Sequence, residues 1–172
     1  MTLTKSKYYF EALDHYPYNL AECLEALNYA LSYDPEDADA LCLMGRIYSE
    51  NLEKYEEAKF YFENALQCDV ANLNIPKYFI KCLLDNEDLD EAEKLINYSL
   101  KIKGIDKCKI LIQKSYFYEI KLEFNEAIKA LDEAKVFAYD QGMLDFLKDR
   151  AKFVKAKMPK PKRQSKSKKE TA

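Results

Sequence analysis

Residues Lys54–Leu66 read KYEEAKFYFENAL, and within them Tyr55, Ala58, Phe62 and Ala65 recur at intervals of three and four. That spacing sets them on one side of an α-helix, the stripe a surface helix buries against its neighbour. One such stretch alone defines an amphipathic helix and nothing more. Three others share its form: LAECLEALNYAL from Leu20, LDEAEKLINYSL from Leu89 and FNEAIKALDEAK from Phe124. In each, a large apolar residue is followed by Glu two places on and then by a small residue, Cys23, Ala58, Ala92 or Ala127. Successive copies lie 35, 34 and 35 residues apart. A period of this length is the mark of stacked helical units, none of which buries its apolar face unaided.

Each copy needs a partner helix upstream, and the clearest is ADALCLMGRIYSE, carried by Leu41, Met44, Gly45 and Tyr48. This pair of helices resembles the tetratricopeptide repeat, whose first helix reads W-x2-L-G-x2-Y and whose second reads A-x3-F, with a proline after it. Leu41 stands for the Trp and Met44 for the Leu, Gly45 and Tyr48 match, and Ala58, Phe62 and Ala65 follow. The expected packing sets Gly45 against Ala58, so that two helices approach closely. Lys59, one place on, falls on the solvent side of that reading. The fourth copy keeps Ser115 and Tyr118 before Ala127, whereas the third has Ile80 at the small site, Leu83 at the aromatic site and Pro76 opening its helix. The first copy keeps a closing proline, Pro35, after an irregular first helix, KYYFEALDHYPYN. Asp34-Pro35 and Lys103-Gly104 stop helices between copies, since the residue before proline leaves the helical region and glycine accepts a left-handed cap.

The expected architecture is therefore all-α: a right-handed superhelix, or α-solenoid, of about four hairpins over residues 4–37, 38–72, 73–107 and 108–141, closed by a capping helix over 140–157. In that cap, Met143, Leu144, Phe146, Leu147 and Phe153 are available to cover the last repeat. The whole forms one domain, 1–157, followed by a basic tail, 158–172. Residues 159–172 hold six Lys or Arg against one Glu, a charge of +5, which leaves −8 for the rest of a chain whose net charge is −3. Residues 159–172 have no large apolar residue with which to pack, so this tail is expected to be disordered.

Composition narrows the function classes. With 48% hydrophobic and 33% charged residues the chain is globular in type, and no apolar run approaches the roughly 20 residues of a membrane helix. The start, MTLTKSKYYFEALDHY, lacks the apolar core of a secretory signal, so the cytoplasm is the expected compartment. Five cysteines, with no C-x-x-C pair, suit a helical core better than disulfides or zinc. His15 is the sole histidine, with no nucleophile motif beside it and no glycine-rich phosphate loop in the chain, so neither catalysis nor a cofactor or metal is expected.

The resemblance implies a binding role. In that family the first helix of each repeat lines a concave groove, where extended peptides or partner helices bind. Carried over, the lining candidates are Tyr8 and Tyr9, then Cys42, Leu43 and Arg46, then Asn74, Lys77, Tyr78 and Lys81, then Lys109, Gln113 and Tyr116. Arg46, Lys77, Tyr78, Lys81, Lys109, Gln113 and Tyr116 form the candidate site, a mix of cations and aromatic rings suited to an acidic peptide with apolar side chains. Co-chaperone members grip a terminal carboxylate with Lys, Asn and Arg at fixed groove positions. Here those positions hold Tyr8, Ala12, Leu43, Asn74 and Tyr78, or, one copy later, Cys42, Arg46, Tyr78, Lys109 and Gln113, and neither set forms that clamp. The expected function is a non-catalytic adaptor or scaffold. The alternative is a nucleic-acid- or ribosome-associated protein held through its basic tail.

Overall fold

The computed structural model describes residues 6–159; of the basic tail expected over 158–172, residues 160–172 lie outside the described residues. Among those described there are helices and turns and no strand. The helices run α1 Lys7–His15, α2 Leu20–Tyr33, α3 Ala38–Glu50, α4 Tyr55–Cys68, α5 Ile75–Asp85, α6 Leu89–Ser99, α7 Lys107–Ile120, α8 Phe124–Lys135 and α9 Gln141–Lys157. They pair in order, α1 with α2, α3 with α4, α5 with α6 and α7 with α8, and α9 lies on α8. Each second helix also meets the first helix of the next pair, while α3 touches α5 and α5 touches α7. The architecture is a helical-repeat solenoid in which these first helices form one wall.

Local chemistry explains where the first helices begin. Asp37 caps α3 by accepting hydrogen bonds from the amides of Asp39 at 3.0 Å and Ala40 at 3.2 Å. Asp106 does the same for α7 through Lys109 at 3.1 Å, and Asp140 for α9 through Met143 at 2.7 Å. A side-chain acceptor at this place satisfies an amide that the helix itself leaves unbonded. Pro76 opens α5, where its missing amide costs nothing. Between pairs, Gly104 takes φ +89°, the left-handed geometry its position in the sequence implied.

The small residues of the second helices are at the centre of the packing: Cys23, Ala58, Ala92 and Ala127 are fully buried. Gly45 departs from its expected contact. A Cβ built there meets the ring of Phe62 first, with Cδ1 and Cε1 both at 3.0 Å, so Phe62 rather than Ala58 is what the missing side chain admits. Phe62 in turn stacks on Phe79 of the next pair, ring centroids 5.3 Å apart, and so ties two repeats together. In the irregular first pair, Ala12 is the fully buried small residue and its carbonyl accepts from the Cys23 thiol at 3.2 Å.

The cap also differs from expectation. Leu147, Ala151 and Val154 seat α9, and Phe146 and Phe153 are left half exposed, on a different side of the helix. Lys59 is not a solvent-facing residue either. Its side chain is only 15% exposed, and its ammonium lies 3.0 Å from Asp88, 3.6 Å from Glu91 and 3.7 Å from Glu56.

Candidate functional site

The wall made by α3, α5 and α7 holds all seven site residues, and the structure divides them by what already occupies their polar groups. Arg46, on α3, is clamped. Its guanidinium carbon lies 4.8 Å from the Tyr16 ring centre and 4.0 Å from that of Tyr78 on α5. Its Nη2 donates to the Tyr16 hydroxyl at 3.3 Å and lies 3.6 Å from Glu50. Tyr16 donates onward to Glu50 at 2.6 Å. Burial and that bond to the Glu50 carboxylate push the Tyr16 phenol up to about 12, despite the opposing pull of Arg46, so the hydroxyl stays protonated and keeps donating. Arginine between two rings, with a carboxylate at its edge, is a fixed joint across three repeats.

Lys77 and Gln113 form a second joint. The Gln113 side-chain amide donates to the backbone carbonyl of Lys77 at 2.5 Å, linking α7 to α5, and Gln113 Oε1 is buried with no partner among the described residues. The Lys77 ammonium rests 4.7 Å from the Tyr78 ring centre and donates to the neutral Asn74 side chain at 3.0 Å. Lys81 pairs with Asp85 at 2.5 Å and Lys109 with Asp106 at 3.2 Å, each lysine about half exposed. Partial burial works against the charge of Lys81, but the bond to Asp85 outweighs it and the ammonium is held above its ordinary range. The Asp106 bond raises Lys109 in the same way. Tyr116, 44% exposed, carries its ring free on α7.

Some groove candidates are core residues. Cys42 and Leu43 are buried, and burial pushes the Cys42 thiol up to about 12, an inert side chain. Tyr8 stacks on Tyr29 at 5.4 Å and Tyr33 at 5.6 Å, within the first pair.

The sequence reading missed Tyr16 and Glu50, because a turn residue and a helix-end carboxylate carry no periodic signal. It also missed Glu119 near the C-terminal end of α7. That carboxylate is 5% exposed and is held by Arg150 and, at 2.8 Å, by Lys157, both on α9. The bridge ties α9, which packs on α8, to the C-terminal end of α7 through side chains. Phe153 lies in the same cluster, its ring centre 5.0 Å from the Arg150 guanidinium and 4.6 Å from the Lys157 ammonium.

A wall of first helices backed by a row of second helices defines a helical-repeat protein with an inner-helix face. No protein-family model matches the chain. No curated protein matches it. Among solved structures, the TPR domain of Arabidopsis OM64 is similar, with a TM-score of 0.58 and 14% sequence identity over 69% of this chain and 96% of that one. The likeness is one of fold: this chain has a TPR-like, all-helical repeat architecture.

Proposed function

We propose that the chain is a non-catalytic, cytoplasmic adaptor that holds a peptide or partner helix against the face formed by α3, α5 and α7. The observation that carries this reading is the chain of joints along that face, Tyr16–Arg46–Tyr78 and Lys77–Gln113, each joining neighbouring repeats. They hold the wall rigid before a ligand arrives, and a preorganised wall loses little freedom on binding. Around them Lys81, Lys109 and Tyr116 present charge and aromatic area outward. Protein partners fit such a surface, which offers apolar area and separated charges. Among the described residues no helix is long and apolar enough to cross a membrane, and none of their carboxylate, histidine and cysteine groups cluster as a metal site.

Site-specific photo-crosslinking tests the reading. A photoreactive residue at Lys81 or Lys109 should capture a partner protein in cells, whereas one at Lys129, 68% exposed on α8, should not. Capture from Lys129 alone would overturn the inner-face assignment. Capture abolished by deleting residues 159–172, together with loss at moderate salt, would favour tail-mediated nucleic-acid binding instead.

A further inference from the structure

We propose that the end of this wall between α7 and α9 is the seat of an acidic peptide segment bearing an aromatic or branched apolar side chain. The inference rests on the adaptor reading and assigns its ligand to one half of the face. Large apolar side chains are half exposed there: Tyr116 44%, Phe146 50% and Phe153 52%, the last with Arg150 and Lys157 at its ring. The fold does not need the two phenylalanines for packing, since α9 is seated by Leu147, Ala151 and Val154.

Spacing sets each ring on the same face of its own helix as a member of the Glu119 bridge. Tyr116 precedes Glu119 by one helical turn on α7, while Phe146 and Phe153 lie one turn to either side of Arg150 on α9. Charge then selects the ligand. A single carboxylate, Glu119, faces two cations, Arg150 and Lys157, so the bridge is net positive. Lys77, next along the wall, is held by a neutral amide rather than a carboxylate. Elsewhere on the wall the cations are paired one to one, Arg46 with Glu50, Lys81 with Asp85 and Lys109 with Asp106, and the Tyr78 ring lies under Arg46. A carboxylate-bearing segment is therefore drawn toward α7 and α9, where its apolar side chain finds exposed rings. Asp85 and Asp106, paired with the wall's lysines, oppose a continuous run of phosphates, which sets a peptide ahead of single-stranded RNA.

The test uses the full chain and a panel of dye-labelled peptides: acidic with phenylalanine, acidic with serine, basic with phenylalanine, plus a single-stranded RNA oligonucleotide. Fluorescence anisotropy should rank the acidic, phenylalanine-bearing peptide first. Tyr116→Ala and Phe153→Ala should each weaken it by about tenfold or more with circular dichroism unchanged, since both side chains lie largely outside the core. Peptide binding lost in Lys81→Ala but retained in Phe153→Ala would overturn the α7–α9 seat and leave the adaptor reading standing. Preference for the oligonucleotide at Tyr116 and Phe153 would overturn the peptide assignment. Failure of every peptide would overturn this inference, while crosslinking from Lys81 and Lys109 judges the adaptor reading separately.

Discussion

Gly45 shows how one missing side chain sets the distance between helices. It is buried within α3, and a methyl group in place of its hydrogen would press on a Phe62 ring that is itself fully buried and stacked on Phe79. Two effects compete in Gly45→Ala. Alanine is the better helix former by about 1 kcal/mol, but overpacking a closed core costs about 1–3 kcal/mol. The ring is fully buried and stacked on Phe79, so packing is expected to decide, and Gly45→Ala should lower stability by about 1 kcal/mol net. Urea denaturation measures it; a midpoint at or above that of the parent would show that Phe62 yields. Lys59 teaches the converse, because a lysine that periodicity assigns to solvent instead bonds to three carboxylates.

At the level of helices, the two members of a pair start by different means. First helices α1, α3 and α7 have side-chain caps, as does the capping helix α9, and α5 has its proline, whereas α2, α4, α6 and α8 have no side-chain cap bond. Three second helices are fed by a left-handed residue two places earlier, Glu53 at φ 53°, Glu87 at 59° and Leu122 at 60°. Each turn is closed by a 2.8 Å backbone bond, Lys54 to Tyr48, Asp88 to Leu83 and Glu123 to Tyr118. Left-handed geometry at a residue with a Cβ costs about 1–2 kcal/mol, and glycine avoids it. Leu122 is 72% exposed and gives little packing in return. Leu122→Gly should accordingly raise stability by about 0.5–1 kcal/mol, after allowing for the greater freedom of glycine in the unfolded chain. A calorimetric midpoint below the parent would mean that the leucine side chain contributes more than its exposure suggests.

Across the whole molecule, polar ties run between repeats as well as within them. Lys59 of α4 reaches Asp88 at the start of α6 at 3.0 Å, and Asn86 donates to the same carboxylate at 2.8 Å. Partial burial works against the charge of Asp88, but the bonds from Asn86 and Lys59 outweigh it and hold the carboxyl below its ordinary value of 3.8. A group depressed in the folded state stabilises it at pH above the unfolded value and loses that contribution as pH falls through the folded one. The stability difference between the parent and Asp88→Asn should thus be widest near neutral pH and close below about 3.8. Thermal melts of both proteins from acid to neutral pH measure it. A difference that stays constant throughout would remove Asp88 ionisation from the account.

The sequence by itself determined the repeat. Four small residues at a near-constant period, with helix stops between them, require stacked helical pairs, because such periodicity has no other way to bury its apolar stripe. The resemblance the sequence carries added the expectation that first helices line a groove, and Arg46, Lys77, Tyr78, Lys81, Lys109, Gln113 and Tyr116 do lie on the first helices α3, α5 and α7. Only the tertiary structure decided which of them are free to act. Arg46 resembles an open cation in one dimension, yet Tyr16, from a turn 30 residues earlier, and Tyr78, from the next repeat, enclose it. Phe146 and Phe153 resemble core in their helix, yet Leu147, Ala151 and Val154 seat α9 and leave both rings half exposed. The physical reason is range. Periodicity reports which side of a helix is apolar, a property of the helix alone, whereas the occupation of a charge or a ring depends on residues that folding brings from other helices.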